Sequence, residues 1–214
     1  SGRRKRLAAA CGSSVQIVKA LALTLLLAVP AVAEADPAAE LQLREVEASL
    51  LHRRIDLSGV KQWERDTDDW HPLTLVPRKL YVLNLWSVHC VPCKEEFPLL
   101  RKMVEGWRSQ KEVKFLFIAD PPHDTEEQEL TAYWRSTAAQ LPDEDPCRSS
   151  DERIRNMLES GLQPITLLVD EHLVIRQAFA GAIGKRPLAL AIQRLLNALK
   201  NDEKPAPRKG GQRG

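Results

Sequence analysis

Cys90 and Cys93 are the residues of this chain best equipped for chemistry, because two intervening positions place them one helical turn apart. They stand in the run Leu80-Tyr81-Val82-Leu83-Asn84-Leu85-Trp86-Ser87-Val88-His89-Cys90-Val91-Pro92-Cys93-Lys94-Glu95-Glu96-Phe97-Pro98, an apolar strand-like stretch followed by helix-forming residues. A sulfur at the first turn of a helix faces unpaired backbone N–H groups and the positive end of the helix dipole, which favour its thiolate. Cys90 is therefore the expected nucleophile. Cys93 falls on the same face of the helix, so the pair can close a small disulfide and reopen it. Thiolates also bind soft metals. A copper or zinc chaperone module would use Cys90 and Cys93 with His89, and with His123 or Cys147, although no second closely spaced ligand pair is present.

The Trp86-Ser87-Val88-His89-Cys90-Val91-Pro92-Cys93 run, Glu96 three places later and the Phe97-Pro98 pair resemble the thioredoxin superfamily, and within it the extracytoplasmic TlpA/ResA-like branch. The resemblance spans roughly residues 55–200. It implies an α/β, thioredoxin-like three-layer fold, a central mixed sheet flanked by helices, and a thiol-disulfide oxidoreductase that needs no cofactor. In that reading Cys90 attacks and Cys93 resolves. Pro92 resembles the more reducing members of the superfamily and points to a reductase. Trp86, His89, Val91 and Pro92 are then placed on the substrate side. The peroxiredoxin branch fits poorly, since it would want a lone attacking cysteine in a threonine-containing context.

A second signal lies at Gly161-Leu162-Gln163-Pro164-Ile165-Thr166-Leu167-Leu168-Val169-Asp170. A proline before an apolar, β-branched run cannot donate to a sheet ladder, so it belongs at a strand start or edge. The resemblance makes Pro164 the cis-proline that faces the cysteine pair, with Gln163 and Ile165 offering backbone groups to a substrate added as an extra strand.

Three further residues carry chemistry of their own. Glu96 is one turn beyond Cys93, and the resemblance gives it the proton-accepting role for that thiol, whereas helix periodicity alone allows an exposed, solvated glutamate. Asn84 stands where cytoplasmic thioredoxins keep a buried aspartate, which moves proton handling towards Glu96. His89 replaces the tryptophan that usually precedes the first cysteine; protonated, it would favour the Cys90 thiolate, and neutral, it would alter only the surface met by substrates. Cys147, in the loop Leu141-Pro142-Asp143-Glu144-Asp145-Pro146-Cys147-Arg148, is expected to be exposed and at most half-buried.

The flanks read differently from the middle. Arg3, Arg4, Lys5, Arg6 and Lys19 precede the uncharged run from Ala20 to Ala33, the pattern of a secretory signal peptide or an N-terminal membrane segment over residues 1–33. Fourteen uncharged residues fall short of a spanning helix, so cleavage is expected. Cys11 precedes the apolar run and is not a lipidation site in this reading. Without those five basic residues the formal net charge changes from +2 to −3, and no basic stripe remains for nucleic acid. An exported oxidoreductase implies partners: protein disulfides such as those of apocytochrome c, and a membrane reductant of the DsbD/CcdA type.

The elements that position these residues are legible coarsely. Residues 34–54 form a helical lead-in, with Asp36-Pro37 opening a helix over 37–51. Ser58 to Pro77 holds short strands or loops, and Leu80–Trp86 is a buried strand. Residues 91–109 form the helix of the cysteines, kinked at Pro98. Val113–Ala119 reads as a central parallel strand. Helices follow at 124–139 and 151–159, strands at 165–169 and 173–179, and Pro187 opens the last helix. Residues 201–214 read as a disordered tail.

Overall fold

The computed structural model describes residues 37–64, 66–119, 124–137, 146–150, 153–158 and 162–202. The expected signal segment, Cys11, His123, most of the loop before Cys147 and residues 203–214 lie outside them. In chain order the elements are α1 (Pro37–Leu50), β1 (Val60–Glu64), β2 (Asp69–Pro72), β3 (Leu80–Trp86), α2 (Val91–Trp107), β4 (Val113–Ala119), α3 (Asp124–Thr137), β5 (Cys147–Ser149), α4 (Arg153–Leu158), β6 (Ile165–Asp170), β7 (Ile175–Ala180) and α5 (Lys185–Asp202). No helix among the described residues is long and apolar enough to cross a membrane.

β3 is apolar at every position but Asn84 because it is covered on both faces and paired on both sides. It runs parallel to β4, from Leu80 opposite Val113 to Trp86 opposite Ala119, and antiparallel to β6, with Leu85 opposite Ile165. The sheet has seven strands in the order β2-β1-β5-β4-β3-β6-β7. Alternation along the strands divides the core. Leu80, Val82 and Trp86 join Phe115, Phe117 and Leu168 in one cluster with Phe97 and Leu100 of α2, Trp134 of α3 and Leu188 and Ile192 of α5. Tyr81, Leu83 and Leu85 join Ile118, Leu167 and Ile175 in the other, with Leu50 of α1 and Ile154 and Leu158 of α4. The result is the expected three-layer α/β fold with a central mixed sheet.

Two edges needed structure that sequence patterns did not show. At one, β7 and the turn before it are covered by α1 and the segment after it: His52 N–H donates to the Ile175 carbonyl at 2.8 Å, Ile55 N–H donates to the Leu173 carbonyl at 2.9 Å, and the Glu47 carboxylate of α1 accepts Ala180 N–H at 2.9 Å. These bonds occupy groups that an open edge would expose. At the other, β1 and β2 form a hairpin whose Trp63 and Trp70 meet edge to face with ring centroids 5.2 Å apart. Arg135 of α3 lies over Trp63 and Arg148 over Trp70, at 5.7 and 5.0 Å.

Cys147 corrects the sequence reading. It is 1 % exposed, not a loop thiol, because it opens β5, which lies between Gln62 of β1 and Ile118 of β4 and joins the hairpin to the sheet. A strand of three residues exists only through those long-range partners, and its own sequence does not announce it. α2 runs unbroken through Pro98, whose ring lies on the exposed side. α5 begins two residues before Pro187 and continues through Asn201 and Asp202, into the segment expected to be a tail.

Candidate active site

The end of β3 delivers the chain through Ser87-Val88-His89 to Cys90, which is the N-cap of α2. Its backbone is extended at φ −76° and ψ 101°, and its sulfur accepts the Cys93 N–H at 3.2 Å, as a serine or aspartate oxygen would at this position. Cys90 and Cys93 form a disulfide with their Cα atoms 5.3 Å apart. Helix geometry makes the two sulfurs unequal. Cys93 lies on the buried face of α2 with Glu96, Phe97, Leu100, Met103 and Val104, and is wholly buried, while Cys90 is half-exposed. Solvent and substrates therefore reach Cys90 first. The N-cap bond and the helix dipole are aimed at the same sulfur and stabilise negative charge on it once the disulfide opens.

The residues on either side of Cys90 in the chain are exposed. Val91 is 62 % exposed and Pro92 is also exposed. His89 is exposed, and its Nε2 lies 3.1 Å from Glu129 Oε2 on α3, which ties the loop before Cys90 to that helix. Lys94 lies over the Tyr133 ring at 5.0 Å from its centroid.

Trp86 is not at this surface. It is wholly buried, with its ring centroid 5.0 Å from Phe97, 5.9 Å from Tyr133 and 6.3 Å from Trp134, so the expected direct contact with substrate is corrected to a supporting position beneath the cysteine loop. The physical reason is strand alternation: Trp86 follows Leu80 and Val82 on the face that α2 covers.

The Gln163–Pro164 peptide is cis. β6 runs antiparallel to β3, so its first residue, opposite Leu85, brings Pro164 to the end of the sheet from which Cys90 emerges. Pro164 is buried and Gln163 half-buried. The Pro164 carbonyl accepts Gly181 N–H at 2.9 Å; Gly181 has φ 82°, a conformation that favours glycine. Ile165 does not fit its expected part. It is wholly buried and in register with Leu85 on one side and Ala180 on the other, so its place in the sheet is already taken.

Glu96 is 5 % exposed, so the solvated-helix reading of this residue is excluded. Its Oε1 accepts Ile183 N–H at 2.8 Å and its Oε2 faces Asn84 Nδ2 at 3.4 Å. Burial pushes the Glu96 carboxyl above the usual range, with the bonds from Ile183 and Asn84 pulling the other way. Asn84 is 1 % exposed and also donates to Thr166 Oγ1 at 3.1 Å, across the β3–β6 pair. Thr166, Ile183, Gly181 and Glu129 were missed as site residues. Thr166 alone had a usable signal, a lone hydroxyl inside a buried apolar strand. The contacts of the others depend on loop paths that no short-range pattern encodes.

The metal alternative finds no further ligand here. Among the described residues no group of three His, Cys, Asp or Glu side chains is placed to hold a metal ion, and Cys147 is committed to β5.

No protein-family model matches this chain, and no curated protein does either. Solved structures do. The exposed lipoprotein thioredoxin Etrx1 of Streptococcus pneumoniae superposes with a TM-score of 0.52 at 12 % identity, covering 62 % of this chain and 97 % of its own. The N-terminal domain of PilB from Neisseria gonorrhoeae gives 0.52 at 18 %, covering 70 % and 96 %. A domain of a possible thiol-disulfide isomerase from Cytophaga hutchinsonii gives 0.50 at 21 %, covering 71 % and 97 %. With its mixed sheet, cysteine pair at a helix N-cap and cis-proline at the facing strand start, this chain has a thioredoxin-like fold.

Proposed function

We propose that this chain is an extracytoplasmic thiol-disulfide oxidoreductase of the TlpA/ResA-like branch that reduces disulfides of exported proteins. The observation that carries the reading is the asymmetry of the cysteine pair: an accessible sulfur at the helix N-cap and a buried one a turn later, with a buried carboxyl a turn beyond that.

In the reduced protein the Cys90 thiolate attacks one sulfur of a substrate disulfide. The substrate S–S bond breaks, a Cys90–substrate disulfide forms, and the first substrate sulfur leaves as a thiolate that takes a proton from water. Cys93 then gives its proton to Glu96 and attacks Cys90. The mixed disulfide breaks, the second substrate sulfur leaves and is protonated, and Cys90–Cys93 closes as the disulfide. Two electrons have passed to the substrate, and an external dithiol must return them. A membrane reductant of the DsbD/CcdA type is the proposed donor, and apocytochrome c is a proposed substrate. The substrate chain lies along Gln163 and over Val91 and Pro92, whose exposure supports that placement. Export is supported by the basic and apolar N-terminal pattern and by the exposed lipoprotein among the structures of like fold.

An insulin-type disulfide reduction assay with metal analysis of the same sample tests this reading. Turnover that disappears in Cys90→Ser, in protein without bound metal, is the expected result. Turnover that survives Cys90→Ser, or stoichiometric copper or zinc on the cysteines of an inactive protein, would overturn it.

A further inference from the structure

Asn84 Oδ1 is buried and, among the described residues, has no hydrogen-bond partner, although the same carboxamide uses its Nδ2 on both Glu96 Oε2 and Thr166 Oγ1. An acceptor left empty in a core is costly, so its retention beside a buried acid needs a reason. The neighbours supply one. Glu96 Oε1 is held by the Ile183 N–H, so a proton arriving on this carboxyl goes to Oε2, the oxygen that faces Asn84. With the amide as it stands, Oε2–H and Nδ2–H₂ would be two donors facing each other. A half-turn of the carboxamide brings Oδ1 to Oε2 and removes that conflict, moving the Nδ2 hydrogens to the side on which Oδ1 had no partner. Thr166 can follow, because a hydroxyl accepts from Nδ2 in one orientation and donates to Oδ1 in the other.

We infer that Asn84 is a positioning residue for the Glu96 proton, its carboxamide donating to the ionised carboxylate and, turned over, accepting from the protonated acid, with the Thr166 hydroxyl reversing in step. The catalytic part of this inference rests on the proposed function, in which the proton that Glu96 takes comes from Cys93. A carboxamide suits the task because it offers both a donor and an acceptor without adding charge. An aspartate at residue 84 would instead place a second acid beside the first and couple the two titrations. The other group hydrogen-bonded to the Glu96 carboxyl is the Ile183 N–H from the loop before α5, and Cys93 is a buried residue of the same helix, one turn earlier. Among the described residues no charged side chain hydrogen-bonds to it.

The test is nuclear magnetic resonance on the reduced full chain, following the Glu96 carboxyl carbon and the Asn84 side-chain amide against pH. Amide resonances that move with the same midpoint as Glu96, and contacts between the Nδ2 hydrogens and the Thr166 methyl that are present above the midpoint and lost below it, are expected. In Asn84→Leu both forms lose their partner, and because the bond to the charged carboxylate is the stronger of the two the Glu96 midpoint should rise by about 1 pH unit, a tenfold change in proton affinity. In Asn84→Asp the single step should become two, which keeps the inference testable if the leucine variant does not fold. An amide that stays put through the Glu96 titration, or a midpoint unmoved in both variants, would overturn it. Turnover of a substrate is not part of this readout, so an inactive protein would count against the proposed function alone.

Discussion

Glu96 on α2 accepts the backbone N–H of Ile183 at 2.8 Å, and two residues before Ile183 the Gly181 N–H donates to the Pro164 carbonyl at 2.9 Å. The helix that carries the cysteines and the proline at the start of β6 are thereby braced against the same short loop. Residues from three distant parts of the chain are thus joined through one short loop.

Glu96 should leave a signature in the pH dependence of stability. Its carboxyl is raised by burial, so stability is fully present below the ordinary glutamate value of about 4.3 and falls as pH rises through the raised value. Urea unfolding of the reduced protein across pH 4–9 should show this decline in wild type and not in Glu96→Gln, which keeps an acceptor for Ile183. Glu96→Leu leaves that N–H unsatisfied and should cost about 1–3 kcal/mol. In stopped-flow kinetics, Glu96→Gln should slow closure of the mixed disulfide by roughly 100-fold, the lower range for loss of a general base.

Asp170 should act in the opposite direction. Burial raises its carboxyl, but the Val174 and His172 N–H groups and the Arg176 guanidinium outweigh burial and hold it below the usual aspartate range. Its contribution is present above the ordinary value of about 3.9 and is lost as pH falls through the lowered one. Asp170→Ala should lose about 3 kcal/mol at pH 7 in urea unfolding and should flatten the acid limb of the stability profile.

The His89–Glu129 pair makes the electrostatic effect of His89 on Cys90 conditional. Any positive charge on the imidazole is opposed by a carboxylate 3.1 Å away. The Cys90 thiol pKa, read from the pH dependence of its alkylation rate, should therefore change little in His89→Trp. In Glu129→Gln it should fall, by on the order of 0.5 units for an exposed and screened charge. No shift in Glu129→Gln would mean that the pair acts only as a mechanical tie.

Trp86 is assigned to the core, and that assignment separates stability from binding. Trp86→Ala should cost about 3–5 kcal/mol. Trp86→Phe should keep most of the stability and leave the KM for a disulfide peptide unchanged. A raised KM at unchanged stability would return Trp86 to the substrate surface.

The cysteine loop and its helix were legible in the sequence because their determinants are local: strand, N-cap, proline in the first turn and an amphipathic face all fall within twenty residues. The same holds for Leu80–Trp86 and Val113–Ala119, whose runs, apolar but for Asn84 and Lys114, announce central strands. What was not legible depends on partners far along the chain. Cys147 is buried because β1 and β4 flank it. Ile165 is closed to substrate because Ala180 pairs beside it. Glu96 is buried beneath a loop that arrives 87 residues later. Trp86 sits next to the motif in sequence and looked like part of its surface, and only its strand parity sends it into the core.

The measurement that bears most directly on the account uses the reduced Cys93→Ser variant and a synthetic peptide carrying one disulfide. Intact mass and peptide mapping should show a stable adduct through Cys90, while wild type releases the peptide reduced and ends with the Cys90–Cys93 disulfide. An adduct through Cys147, or none at all while the variant remains folded, would contradict the assignment of Cys90 as the attacking thiolate.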